Sequence, residues 1–125
     1  MKKAILTKNA PAPIGPYSQA IEIGGLIFCS GQIPMDPATN EIKLGDIRLQ
    51  AELVMKNVGA LLEAAGLGFQ NVVKTTIFLT DLKDFATVNE VYGKNFKETP
   101  PARSTVQVAA LPRGAGVEVE VIAHR

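Results

Sequence analysis

Two residues near the C-terminal end of the chain stand out for the chemistry they could perform: Arg103 in the run PPARSTVQV (100–108) and Glu118 in the run VEVEVIA (117–123). A guanidinium is a planar, permanently charged fork that grips a carboxylate through two parallel N–H···O bonds, so an arginine at the head of a strand suits recognition of a small organic acid. A neighbouring carboxylate can hold a water molecule or take its proton. Glu120 points the same way along its strand as Glu118 and competes for that role. The same residue types also suit a cross-strand ion pair on a wet sheet face, worth about 0.5 kcal/mol, and on spacing alone that is the simpler reading.

Other chemistries find less support. Cys29 lies inside the apolar run LIFCSGQI, where a thiol behaves as a small buried hydrophobe, and no histidine is near in sequence to activate it. Ser18, Ser30 and Ser104 lack a histidine partner for a hydrolase triad, because the one histidine is His124, a residue from the end. One His and one Cys cannot supply the ligands of a zinc site; an all-carboxylate magnesium site stays open, and no cofactor is called for. The Gly114–Gly116 segment reads as a turn and not a phosphate loop, since no helix follows it. Lys43, Lys74 and Lys83 are scattered solvated charges, and Phe85, Tyr92 and Phe96 read as core residues of a helical stripe.

These residues belong to a chain of 125, the size of one domain, 1–125, with one core. Thirteen basic and twelve acidic side chains leave a formal charge of +1, too weak a field to hold nucleic acid or an anionic membrane at long range. The apolar run after Met1-Lys2-Lys3 is only Ala4-Ile5-Leu6, and no stretch approaches the length needed to span a bilayer. A soluble, cytoplasmic protein is expected.

Residues 9–16, with three prolines and a glycine, read as an extended arm that delivers Tyr17 to the first strand. Strands are expected over 18–23 and 26–33, joined through Gly24-Gly25 in a tight hairpin turn. Asp46 can cap a helix with apolar residues at Ile47, Ala51, Val54, Val58, Leu61, Leu62 and Ala65, closed by Gly66, with Glu52 and Lys56 as an outer i,i+4 pair. A buried strand over 72–80 follows, then a second helix carrying Phe85, Val88, Tyr92 and Phe96, capped by Asp81 or Asp84 and ended by Pro100-Pro101. Strands over 103–109 and 117–123 complete the order ββαβαββ, an α+β sandwich of two layers with both helices on one face. In the last strand Val117, Val119, Val121 and Ala123 should face the helices. If the polar residues of the two final strands align, Arg103, Thr105 and Gln107 share the opposite face with Glu118 and Glu120. That polar face either meets water or lines a cleft between subunits.

The segments NAPAPIGPYSQA (9–20), SGQIP (30–34), VVKTTIFLTDLKDFATVNEVY (72–92), PPARSTVQVAALP (100–112) and VEVEVIA together resemble the Rid family of reactive intermediate deaminases, also called the YjgF family, in one register over essentially the whole chain. With the arginine of PARS and the late glutamate both present, the resemblance is closest to the RidA branch. It implies a chorismate-mutase-like α+β fold, a mixed six-stranded sheet with two helices on one face. It further implies a homotrimer whose sheets form a central barrel, with three sites in the clefts between subunits. The implied activity is cofactor-free hydrolysis of 2-imino acids and their enamine tautomers, such as 2-iminobutanoate and 2-iminopropanoate, to 2-oxo acids and ammonia. Position by position, the resemblance makes Arg103 the carboxylate-binding arginine and Glu118 the water-positioning acid, and places Tyr17, Ser30, Gly31, Asn89 and Thr105 along the cleft. Thr105 stands where many members have cysteine; a hydroxyl can hydrogen-bond a substrate atom but supplies no ready thiolate, so a covalent route through it is disfavoured. Gln107 stands where relatives often have glutamate. Some relatives are described as small-carboxylate binding or regulatory modules and others as ribonucleases or translation inhibitors; the near-zero charge and single histidine count against the last.

Overall fold

The computed structural model describes residues 1–125. Eight elements follow one another: β1 (Lys3–Ile5), β2 (Ala20–Ile23), β3 (Leu26–Gln32), α1 (Ile47–Ala64), β4 (Val72–Leu79), α2 (Phe85–Gly93), β5 (Ala102–Gln107) and β6 (Val117–His124). The strands form one six-stranded sheet in the order β1-β2-β3-β6-β4-β5. Only β4 and β5 run parallel; α2 makes the crossover between them. The mixed α+β sheet is therefore as expected, but its sixth strand is β1, which the order ββαβαββ omits. Three residues are too few to show an alternation, and β1 is recognisable only through its pairing with β2.

Gly24 and Gly25 take φ values of 57° and 79° in the β2–β3 turn, the left-handed backbone that both central positions of such a hairpin require. The arm between β1 and β2 has no regular structure, and Gln19 ties down its first half. Gln19, 1% exposed, donates to the carbonyls of Thr7, Ala10 and Pro11 and accepts from the Thr7 amide. An extended arm cannot satisfy its own backbone, so this buried amide does it.

Asp46 caps α1 by accepting from the Arg48 amide at 2.8 Å. The helix packs Ala51, Val54, Val58, Leu61 and Leu62 onto Val117, Val119, Val121 and Ala123 of β6 and Ile77 and Leu79 of β4, all at most 2% exposed. The valine face of β6 thus meets the helices as its alternation foretells. At the end of α1 the amides of Gly66 and Leu67 return to the carbonyls of Glu63 and Leu62. The expected Glu52–Lys56 pair does not form. Arg48 instead forks onto Glu90 of α2, a link between helices that i,i+4 spacing cannot reveal. Asp81 caps a short 3-10 turn over Leu82–Asp84 that leads into α2. That helix ends at Gly93, well before Pro100, because Lys94 to Phe96 continue as turns; Phe96 still reaches the core, edge-on to Phe69 and against Tyr92. No helix is long and apolar enough to cross a membrane.

Candidate active site

Register decides which side of the sheet each functional side chain occupies. On β4, Thr75, Ile77 and Leu79 are buried against the helices. Their partners are Val121, Val119 and Val117 on β6 and Arg103, Thr105 and Gln107 on β5. Residues directly opposite one another share a face. Arg103, Thr105 and Gln107 therefore lie on the helix side, whereas Glu118 and Glu120, opposite Phe78 and Thr76, lie on the other. The expected common face, and with it the Arg103–Glu118 cross-strand ion pair, is overturned. The cause is the edge position of β5. Polarity signals the solvent face in a central strand, but at an edge a polar side chain can reach past the helix that covers its neighbours.

Arg103 does reach α2. Its guanidinium carbon lies 5.1 Å from the centre of the Tyr92 ring and 5.6 Å from that of Phe85, and Nη1 donates to Asn89 Oδ1. Phe85, Asn89 and Tyr92, at i, i+4 and i+7, form one face of α2. Tyr92 is anchored beneath by a 2.7 Å hydrogen bond between its hydroxyl and Thr75 Oγ1. Its phenol is pushed up by burial, against the opposing pull of the Thr75 bond and the Arg103 charge. Phe85, read as core from sequence, is 39% exposed and serves the cation instead. None of the four salt bridges in the chain involves Arg103. The cation is oriented but not neutralised. Next to it on β5 the hydroxyl of Thr105 is buried without a hydrogen-bond partner, an unfavourable state for a polar group unless another molecule completes it.

The second cluster surrounds Glu118. A cleft of about 620 Å³ is lined by Tyr17, Ser30, Gly31, Glu118 and Glu120, and by the Pro112–Arg113 turn. Pairing between β3 and β6 slips between Cys29 and Gln32, so the backbone bulges at Ser30-Gly31. Glu118 packs on that bulge: a Cβ built on Gly31 would stand 2.8 Å from Glu118 Cδ and closer still to Oε2. Only a residue without a side chain leaves the carboxylate its place. Burial raises the pKa of Glu118 above the ordinary carboxylate value, and the charge of Glu120 adds to the rise. No basic group pairs with it. Ser30 spends its hydroxyl proton on Ser18 O at 2.6 Å, which anchors the arm beside the cleft. Tyr17 is half exposed at the cleft, its hydroxyl accepting from the Ile14 amide at 3.3 Å.

The seven candidate residues thus fall into two groups. Arg103, Asn89 and Thr105 stand together with α2; Glu118, Gly31, Ser30 and Tyr17 stand together at the cleft, whose lining includes none of the first three. Sequence reasoning missed Phe85 and Tyr92 as the seat of the guanidinium, although their spacing about Asn89 was visible. It also missed Gln19, which ties down the arm, and Arg113, which lines the cleft. Cys29 is buried and its thiol is pushed up to about 12 by that burial, as a packed hydrophobe should be.

A family model described as endoribonuclease L-PSP matches residues 7–125. The chain is 60% identical to "Protein DfrA" of Myxococcus xanthus over 124 residues, 98% of this chain and 95% of that protein. It is 50% identical to the mouse protein named 2-iminobutanoate/2-iminopropanoate deaminase over 123 residues, 98% of this chain and 91% of that one. Among solved structures, Escherichia coli TdcF with bound serine superimposes with a TM-score of 0.94 at 49% identity, covering 98% of both chains.

Proposed function

We propose, for a chain that belongs to the Rid (YjgF) family, that it hydrolyses reactive 2-imino acids such as 2-iminobutanoate and 2-iminopropanoate to 2-oxo acids and ammonia. The observation that carries the reading is Arg103, a cation held on two aromatic rings and an amide oxygen with no acid to neutralise it. A small carboxylate is the natural complement to such a fork. The mouse relative's name supports the imine as the group attached to that carboxylate.

Because the two clusters lie on opposite faces of one sheet, one chain does not make a whole site. Arg103, Asn89 and Thr105 of one subunit meet Glu118, Gly31, Ser30 and Tyr17 of the next, in a homotrimer with its sites in the clefts between copies. Two features support this arrangement. The strand β5 has an unpaired edge, and the sheet face away from the helices exposes Phe28 and Val106 at 41% and 42%, apolar surface that a second copy would cover.

In the assembled site Arg103 binds the substrate carboxylate and draws charge from the adjacent C2. Glu118, its proton affinity raised by burial, orients a water and accepts its proton as the oxygen bonds to C2 and the C=N electron pair passes to nitrogen. The nitrogen takes that proton back from Glu118 to give the carbinolamine; the freed carboxylate then draws the proton from the hydroxyl as its oxygen forms a double bond to C2, and hands it to the nitrogen as the C–N bond breaks. Water and imino acid become oxo acid and ammonia. The Thr105 hydroxyl finds its missing partner in the substrate.

Iminobutanoate generated by a dehydratase should decay faster with the protein than without it, and Arg103→Ala should abolish most of the acceleration. Mixing inactive Arg103→Ala and Glu118→Gln subunits by co-refolding should restore activity, since some interfaces then join an intact arginine to an intact glutamate. An acceleration untouched by Arg103→Ala sinks the assignment, and failure of the mixture to recover sinks the shared site.

A second reading, a binding module without turnover, draws support from the serine-bound E. coli relative; binding of 2-oxobutanoate with no effect on imine decay would favour it. Ribonuclease activity, suggested by the family model's description, draws no help from a net charge of +1, too small to hold RNA at long range.

A further inference from the structure

We infer that Arg113 selects the substrate's side chain, favouring 2-imino acids that carry a second carboxylate. The inference rests on the site proposed above. Arg113 lines the same cleft as Glu118, yet the activity assigned to Arg103 and Glu118 leaves it without a task.

The backbone at Arg113 gives the first reason. It lies at φ 57° in the short turn Pro112–Gly114, left-handed backbone that a side chain adopts at a cost and glycine adopts freely. The fold alone would be better served by glycine, so the side chain's presence asks for a use. Its Nη1 donates to Asn40 O at 3.1 Å, which holds the guanidinium without neutralising it. It belongs to none of the chain's salt bridges. Nor is it the counter-charge of Glu118, whose raised proton affinity owes to burial and Glu120 with no cation opposing them.

The cleft gives the second. On a single subunit, before a neighbouring copy closes it, the cleft holds about 620 Å³, within the roughly 300–1,000 Å³ range of ligand pockets. Ile14, Ile33 and Met35 in its lining suit methylene groups. With the first carboxylate on Arg103 and C2 beside Glu118, the rest of the substrate runs into this space. Glu118 and Glu120 repel a second carboxylate placed near them, so Arg113 is the group that can receive it.

Two products of the proposed reaction test this: 2-oxobutanoate with one carboxylate and 2-oxoglutarate with two, titrated calorimetrically into the full oligomer. The matching imines, generated by an amino-acid oxidase, provide turnover. The wild type should bind 2-oxoglutarate more tightly than 2-oxobutanoate. Arg113→Gly should shift that ratio toward 2-oxobutanoate by roughly fivefold or more, the size of a lost charge-assisted contact, and Arg113→Lys should retain part of the preference. Because glycine relieves the backbone, a melting temperature at or above wild type would show that the shift is not unfolding. Equal affinities in the wild type, or an Arg113→Gly variant with an unaltered ratio, would overturn the inference while leaving the deaminase reading intact. Selective binding with no imine turnover would instead overturn the deaminase reading and leave Arg113 as a selector of ligands; binding of neither acid would overturn both.

Discussion

Gly31→Ala isolates the placement of one carboxylate. Gly31 does not lie in left-handed backbone, so alanine fits its conformation. The added Cβ would stand 2.8 Å from Glu118 Cδ and nearer to Oε2, whereas ordinary contact begins at 3.4 Å. Restoring contact moves the carboxylate by ~1 Å, a displacement that can cost about 100-fold when the group must direct an attacking water. Stability should hardly change. Glu118 is only half buried and its far end can swing, and replacing glycine at an unstrained position contributes about 0.4–1 kcal/mol in the favourable direction. The expected result is a kcat lower by ~100-fold, a melting temperature within a few degrees of wild type, and nearly unchanged affinity for 2-oxobutanoate, whose carboxylate the proposed site assigns to Arg103. Gly93→Ala, where a Cβ meets nothing within 4 Å, is the matched control. Steady-state turnover, differential scanning fluorimetry and calorimetry read the three quantities. Wild-type kcat in Gly31→Ala would refute the argument that the bulge exists to seat Glu118.

Three further outcomes are expected. Since burial raises the pKa of Glu118 in the folded state above its unfolded value near 4.5, the folded protein binds that proton more tightly. The carboxylate's cost to stability is thus complete above the folded pKa and absent below the unfolded one. Glu118→Gln should melt higher than wild type at pH 8 with the gap closing in acid, while wild-type activity falls with acid at a pH above the usual carboxylate range; a gap that widens in acid contradicts the sign. Thr105→Val keeps the shape and removes a hydroxyl buried without a partner, so it should stabilise the unliganded protein by about 1 kcal/mol and weaken 2-oxo acid binding, as thermal melts and titrations will report; unchanged binding removes Thr105 from the site. Cys29, buried and with its thiol pushed up to about 12, should resist iodoacetamide at pH 7 in the native protein and react fully in denaturant, and rapid native labelling by mass spectrometry would contradict its packing.

Local rules made much of this molecule legible before any coordinates. The Gly24-Gly25 turn, the Asp46 cap, the α1 stripe and the valine alternation of β6 each depend on neighbours a few residues away, and each appears as the sequence implies. Residue type drew out Arg103 and Glu118, while resemblance carried the family and named Tyr17, Ser30, Gly31, Asn89 and Thr105. Four things needed the tertiary structure. The strand β1 exists only because β2 pairs with it. Arg48 chose Glu90, forty-two residues away, over the helical alternatives. The parallel register of β5 on β4 turned Arg103 toward α2 and away from Glu118. The left-handed backbone at Arg113 set a second cation in the turn beside the cleft. The common reason is that alternation along a strand says which residues share a face, while only pairing across strands says which face that is.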